Sequence, residues 1–145
     1  MNFWIILILL FCVLSPFAML MPSRRLRGRM DVRTEARRMG LIMQLSRQEW
    51  PYWLENKPLD SCPQYHRSRL RGRREHWCFW QDGAGNWLNQ WREPCADPAL
   101  AAALAELPAD VYKAEANAQM VGICWGEAGK PGDLEKIATF LKAHA

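Results

Sequence analysis

The chain has 145 residues and a formal net charge of +4, and its charge is lopsided: residues 1–92 hold 15 basic and 7 acidic groups, whereas residues 93–145 hold 4 and 8. This length allows one domain with its own core beside a short additional segment. The five cysteines are unevenly spaced, which excludes a small fold built on disulfides and predicts free thiols.

The first predicted element is an apolar run from Phe3 to Met21, which contains no charged residue and is interrupted by Ser15 and Pro16. A helix of this length is roughly 28 Å long, close to the hydrocarbon thickness of a bilayer. Its apolar residues together favour insertion by roughly 4 to 7 kcal/mol. We therefore predict a transmembrane anchor over residues 1–22.

A cleaved signal peptide is the alternative interpretation of this run. Signal peptides begin with a basic region and end at a cleavage site made of small residues. No basic side chain precedes Phe3, and Pro16-Phe17-Ala18 is a poor cleavage site. We therefore favour an anchor that remains attached to the chain.

The second predicted element is a basic juxtamembrane helix over residues 23–40. It carries seven arginines: Arg24, Arg25, Arg27, Arg29, Arg33, Arg37 and Arg38. Because basic residues keep their end of a span in the cytoplasm, we expect the N-terminus outside and residues 41–145 in the cytoplasm. These arginines are explained in one of two ways. They set the topology of the span and form a solvated helix face, or they contact anionic lipid headgroups, with an attraction of about 1 kcal/mol per residue.

The rest of the chain predicts an α+β domain, in which helices pack on a largely antiparallel sheet. Strands are expected over residues 41–45, 65–71, 75–81, 111–116 and 120–126, with the second and third forming one hairpin and the last two another. Asp97 and Pro98 signal the start of a helix that Pro108 ends. A final amphipathic helix is predicted over residues 133–144.

A second basic set consists of the alternating arginines of the predicted strand over residues 65–71 and of the turn that follows this strand. The set comprises Arg67, Arg69, Arg71 and Arg73, which would share one face. Beside Trp77 and Phe79 these arginines could bind RNA, with guanidinium on phosphate and rings stacked on bases. The alternatives are contact with anionic lipid headgroups or an acidic membrane-protein partner, and a solvated strand whose charges discourage edge pairing.

One group of residues has the chemistry of metal ligands. It comprises Cys62, His66, His76 and Cys78. Thiolate and imidazole are the ligands that zinc prefers, and the predicted hairpin could bring the two pairs together. The spacing is not that of a standard zinc knuckle, however, and Cys78 also fits as a small buried residue of an aromatic strand. We therefore expect no metal site.

The motifs of common enzyme classes are absent from the sequence. It contains no phosphate-binding P-loop, no H-E-x-x-H and no G-x-S-x-G. Gly83 and Gly85 lack the third glycine of a dinucleotide-binding loop, because Leu88 takes its place. We therefore expect a protein that is not an enzyme and that binds no cofactor.

The arrangement Leu20-Met21-Pro22-Ser23-Arg24-Arg25, followed by an arginine-rich helix that ends Arg38-Met39-Gly40-Leu41, resembles a group of uncharacterised proteobacterial single-span proteins. In that group, as in this sequence, a short cytoplasmic α+β domain ends with a Pro-Ala-Leu helix, two strands and an amphipathic helix. The resemblance implies a bacterial inner-membrane location and supplies no activity. The first 40 residues also resemble the small accessory subunit of the Sec translocase, but its glycine-rich strand pattern does not follow.

The sequence thus favours a non-enzymatic, single-pass inner-membrane protein whose cytoplasmic α+β domain is an interaction module, such as an accessory subunit of a larger membrane complex. Its expected partners are the lipid bilayer, with anionic headgroups or an acidic membrane protein at the two basic sets. The alternative is a membrane-tethered domain that binds nucleic acid through the same arginines, with an affinity that falls steeply as salt is added.

Overall fold

The computed structural model describes residues 2–21, 23–55, 61–128, 130 and 132–145, except for the side chain of Arg25. The elements in chain order are α1 (Phe3–Leu20), α2 (Arg24–Arg38), β1 (Ile42–Arg47), β2 (Ser61–Ser68), β3 (Trp77–Gln81), β4 (Trp87–Leu88), α3 (Pro98–Ala105), β5 (Val111–Ala116), β6 (Met120–Trp125) and α4 (Asp133–His144). An apolar helix is thus followed by a six-stranded antiparallel sheet with helices packed on it, which confirms the predicted α+β class.

The sheet has the order β1-β2-β6-β5-β3-β4, and neighbouring strands are antiparallel. Its centre is the hairpin of β5 and β6, as predicted from the sequence. The side chain of Asn117 closes the turn, because its Oδ1 accepts hydrogen bonds from the backbone N–H groups of Gln119 and Met120 at 2.8 and 2.9 Å. Asparagine is favoured at such turns for this reason.

The predicted hairpin between residues 65–71 and 75–81 is wrong, because β6 and β5 lie between β2 and β3. The expected pairing rested on closeness in the sequence. The strands at the centre of a sheet have a neighbour on each side and are more buried than those at its edges. All of β6 beyond its first residue is buried, and this strand therefore takes a central place between β2 and β5.

Two helices form where their local signals predict them. The Oδ1 atom of Asp97 accepts hydrogen bonds from the backbone N–H groups of Ala99 and Leu100 at 3.0 and 3.5 Å, with Pro98 as the first helical residue of α3. The last helix, α4, spans the predicted residues 133–144. Gly132 precedes it with a φ of 86°, a conformation that glycine adopts without steric cost.

The main core lies between one face of the sheet and the helices. Tyr65, Ile123 and Trp125 contribute to it from the sheet. From α2, Ala36 is fully buried and Val32 packs against the same cluster. The basic juxtamembrane helix is therefore part of the domain core.

The other face of the sheet is polar and is crossed by the segment that follows β1. Lys113 Nζ donates to Gln48 Oε1 at 2.8 Å and lies 3.2 Å from Glu115 Oε2. Glu115 Oε1 in turn accepts a hydrogen bond from Gln64 Nε2 at 2.7 Å. This chain of bonds pairs the polar groups that the central strands bury on this face.

Candidate functional site

The first helix, α1, has 18 residues and a mean hydropathy of 2.7, and every one of its residues is exposed. It is long and apolar enough to cross a membrane, or to serve as a signal sequence. An exposed apolar surface of this extent is unfavourable in water. The helix therefore requires a lipid or protein environment that the domain itself does not supply.

The basic helix α2 begins at Arg24, four residues after α1 ends at Leu20. The Oγ atom of Ser23 accepts a hydrogen bond from the backbone N–H of Leu26 at 3.3 Å and so caps α2. Four residues of extended chain reach at most about 14 Å. The start of α2 therefore remains close to the end of α1.

A buried carboxylate holds α2 on the sheet. Arg33 donates from Nε to Glu127 Oε1 at 2.9 Å and from its guanidinium Nη2 to Glu127 Oε2 at 3.0 Å. The Tyr65 hydroxyl donates to Glu127 Oε1 at 2.6 Å. The Glu127 side chain is 0% exposed, whereas that of Arg33 is 31% exposed. Such bidentate, charge-assisted pairs fix geometry strongly.

The environment of Glu127 also sets the protonation of its partners. The hydrogen bond to Glu127 raises the pKa of the Arg33 guanidinium. Burial, together with the hydrogen bond to Glu127, raises the pKa of the Tyr65 hydroxyl. At neutral pH the Arg33 guanidinium is therefore charged and the Tyr65 phenol is neutral.

The arginines of the predicted juxtamembrane set have different surroundings. The exposed members are Arg24, Arg27, Arg37 and Arg38. Arg33 is bound to Glu127, and the side chain of Arg25 lies outside the described atoms. Arg29 is half-buried, with Nε at 3.9 Å from Glu127 Oε2. The set thus combines one arginine that holds the fold with several that face solvent.

The second predicted basic set does not share one strand face, because β2 ends at Ser68. Arg69 follows it, and its side chain is only 2% exposed. Its guanidinium donates to the carbonyl oxygens of Glu75, Asn117 and His144 at 2.7, 3.1 and 3.2 Å, and to the Glu75 carboxylate at 2.9 Å. Arg69 therefore joins three parts of the fold and is not a surface residue.

The other members of this set remain accessible to different degrees. Arg67 is half-buried on β2, whereas Arg71 and Arg73 are exposed in the following turn. Arg73 donates a hydrogen bond from Nη1 to the carbonyl oxygen of Ala143, near the end of α4, at 3.4 Å. The cationic surface at this end of the domain is thus smaller than predicted.

The arginines at the start of α2 and the second basic set lie at opposite ends of the sheet. Arg29 approaches Glu127, which follows the end of β6. The backbone N–H of Arg69 instead bonds to the carbonyl oxygen of Gln119, just before β6 begins. Because β6 has six residues, these ends are roughly 20 Å apart. The arginines at the start of α2 are therefore separate from the second set. Arg37 and Arg38, at the other end of α2, lie towards the same end of the sheet as that set, because Ile42 pairs with His66.

The aromatic residues expected beside the second set belong to the core. Phe79 is buried, and Trp77 packs against the same cluster with its ring 6.1 Å from that of Phe140. Their ring faces are therefore occupied by other side chains. A surface for stacking nucleic-acid bases requires exposed rings, which these two strand residues do not provide.

The four candidate zinc ligands are not brought together. Cys62 and His66 lie on β2, Cys78 lies on β3 and His76 directly precedes β3. Two strands separate these positions, which places them roughly 14 Å apart. Within the described ranges, no three His, Cys, Asp or Glu residues are arranged to hold a metal ion. Burial raises the pKa of the Cys78 thiol to about 12, as expected for an unreactive buried cysteine.

Sequence reasoning missed Glu127 and Tyr65. In the sequence, Glu127 follows the apolar strand β6 and a glycine. A charged side chain at such a position is ordinarily solvated. Its partner Arg33 is 94 residues away in the sequence, and no local pattern indicates that these two residues pair. The buried group could be found only from the folded chain.

Comparison with known proteins gives no identification. No protein-family model, curated protein or solved structure matches this chain. The resemblance to proteobacterial single-span proteins therefore stays a prediction. Function has to be argued from the geometry of α1, α2 and the sheet.

Proposed function

We propose that this protein is a single-pass membrane protein whose α+β domain is a non-enzymatic interaction module at the cytoplasmic surface of a bacterial inner membrane. In this role α1 is the anchor, and the domain presents its surface to a partner in the same membrane. The accessory subunit of a larger complex is the class of protein that fits this arrangement.

The observation that carries the proposal is that α2 is both closely connected to α1 and packed into the domain. This helix starts within four residues of α1, yet it is bound into the domain by Arg33 and Glu127 and by the buried Ala36. A domain attached in this way has little freedom to leave the bilayer surface. A domain that works at the surface gains from such an attachment, whereas a secreted domain does not need it.

The orientation follows from the arginines of α2. Cations next to a span keep their end of the helix in the cytoplasm. The same exposed side chains, such as Arg27 and Arg37, lie where anionic headgroups or an acidic partner would meet them. Arg71 and Arg73 provide a second, smaller cationic surface at the far end of the sheet.

Topology is the first test of this proposal. The full chain, expressed with a reporter at its C-terminus, is expected to report a cytoplasmic location and to resist extraction from membranes by alkaline carbonate. The mass of the purified protein should include α1. A reporter signal outside the cytoplasm, or a mature chain that begins after Met21, would overturn the proposal.

The partner is tested by photo-cross-linking in intact membranes. A photoreactive residue at the exposed position Arg71 is expected to give a reproducible cross-link to one membrane protein. The matched control places the same residue at Tyr52, which is exposed on a different part of the domain. Identical products from both positions would indicate random collisions and contradict an interaction surface.

A further inference from the structure

A cavity of about 580 Å³ opens in the domain beside the start of α2. It is bounded by α2, by the beginning of β5 and by the segment that follows β6. Its lining includes Arg24, Gly28, Arg29, Asp110, Tyr112 and Glu127. This volume is typical of sites for small molecules or for parts of larger ligands.

Arg29 lines this cavity, and 35% of its side chain is exposed. Its Nε atom is buried and has no hydrogen-bond partner among the described residues. The nearest carboxylate oxygen, on Glu127, is 3.9 Å away and already receives a bond from Arg33. Because Nε is shielded from solvent, the donors of Arg29 that a ligand can meet are the N–H groups of its two Nη atoms.

The charges of the cavity favour a singly charged anion. Glu127 is neutralised by Arg33. The remaining charges of the lining are the cations of Arg24 and Arg29 and the anion of Asp110, whose Oδ2 accepts a hydrogen bond from the backbone N–H of Ala128 at 2.8 Å. The cavity therefore has one cation in excess, which matches a phosphodiester. Guanidinium groups bind phosphate oxygens with two parallel hydrogen bonds.

The position of the cavity indicates the source of the phosphate. Arg24 lies four residues beyond Leu20, within about 14 Å of the end of α1. The headgroup layer of a bilayer adds roughly 5 to 7 Å beyond the hydrocarbon on each side. If α1 spans the bilayer, as proposed above, the cavity lies within reach of the lipid phosphates.

We propose that this cavity binds the phosphate group of a membrane phospholipid through Arg24 and Arg29. The bound headgroup accepts hydrogen bonds from these two guanidinium groups and fixes the domain at one depth and rotation relative to the bilayer. Asp110 offers an acceptor for a hydroxyl or ammonium group of the same headgroup.

The test is a titration of the full chain, purified in phosphate-free maltoside micelles, with dihexanoyl phosphatidylglycerol by isothermal calorimetry. We expect saturable binding, and Arg29→Gln is expected to weaken it by about tenfold or more, since a charge-assisted contact is lost. The matched control is Arg27→Gln, which removes the same charge from an exposed position on the same helix. It should change the affinity by less than about twofold.

A second variant fills the cavity without removing a charge. A Cβ atom added at Gly28 meets no atom within 4 Å, and leucine favours a helix more than glycine does. Gly28→Leu is therefore expected to fold normally and to lose lipid binding. Retained affinity in this variant would overturn the proposed site.

Further titrations with other ligands distinguish binding of a phospholipid from binding of its acyl chains or of free phosphate. Dihexanoylglycerol, which lacks the phosphate, should not bind saturably, and equal binding would overturn the role of phosphate. Inorganic phosphate that binds as tightly as the lipid would overturn a lipid site in favour of a free-phosphate site. Equal losses from Arg27→Gln and Arg29→Gln would indicate a diffuse basic surface, which contradicts this inference and leaves the proposed anchor intact. The anchor itself is tested separately by topology.

Discussion

Glu127 carries a negative charge where solvent does not reach it, and its partners are arranged around that charge. The backbone of Glu127 has a φ of 55°, an uncommon conformation for a residue other than glycine. Burying an ion pair costs roughly as much solvation energy as the pairing returns. The main effect of the Arg33–Glu127 pair is therefore to specify a single position of α2 on the sheet.

Removal of one partner should be much more costly than the net value of the pair. Arg33→Gln leaves the Glu127 carboxylate buried without its cation, so we expect the free energy of unfolding to fall by about 3 kcal/mol. The measurement is urea unfolding of the full chain in detergent, followed by tryptophan fluorescence. Arg37→Gln, at an exposed position of the same helix, should change it by less than about 0.5 kcal/mol. Equal effects of the two variants would show that the pair does not hold α2.

His66 predicts a pH dependence of stability. Burial lowers the pKa of its imidazole below the ordinary value of about 6.5, and its Nδ1 has no partner in the described part of the chain. As the pH falls below about 6.5, the unfolded chain binds this proton first, so stability is complete above that value and declines below it.

The expected result is that His66→Gln loses less stability than the wild type between pH 7.5 and pH 5.5, as measured by urea midpoints. The sign follows because the variant has no proton to gain on unfolding at this position. His76→Gln, at an exposed position before β3, serves as the control. A His66→Gln profile as steep as that of the wild type would contradict the prediction.

At the scale of elements, Arg69 connects the end of β2 to the segment just before β3 and to the end of α4. The carbonyl groups at the end of a helix carry partial negative charge and lack partners within the helix. The guanidinium meets the carbonyl oxygen of His144 at 3.2 Å and so satisfies one of them. One buried side chain therefore ties three elements that are distant in the sequence.

Arg69→Lys should destabilise the fold even though it keeps the charge. A lysine ammonium cannot reproduce the planar arrangement of donors that reaches Glu75, Asn117 and His144. We expect a loss of about 2 kcal/mol in the free energy of unfolding. The matched substitution Arg71→Lys, in the exposed turn, should leave stability within about 0.5 kcal/mol of the wild type. Thermal and urea unfolding of the two variants distinguish a structural residue from a surface cation.

At the scale of the whole molecule, α2 and the sheet share one core. Val32, Ala36 and Met39 pack with residues of the sheet, and Leu41 is buried directly after the helix. The predicted division between residues 23–40 and 41–145 therefore passes through packed side chains. The transition from the apolar helix α1 to the domain lies before α2 in this structure.

Two fragments test this arrangement. A fragment of residues 23–145 retains α2 and is expected to unfold cooperatively in urea. A fragment of residues 41–145 lacks Arg33 and Ala36, so it leaves Glu127 unpaired and opens the core. We expect it to be less stable by about 4 kcal/mol or more, or not to fold. Equal urea midpoints would show that α2 is only a linker.

Much of the fold was predictable because its signals are local. The cap at Asp97, the turn at Asn117 and the apolar spacing of α4 each depend on residues within a few positions of one another. The hairpin expected between β2 and β3 failed because pairing depends on which strands can be buried at the centre of the sheet. Among the candidate site residues, Arg69 was misplaced for the related reason that its acceptors come from three elements.

The sequence alone determined the apolar helix, the basic segment that follows it and the α+β class, because hydropathy and periodicity act within one segment. The tertiary structure decided which arginines hold the fold and which remain free. It paired Arg33 with Glu127 across 94 residues and separated the arginines at the start of α2 from the second basic set by the length of β6. Such contacts depend on the order of strands in the sheet, and that order is set by burial over the whole domain.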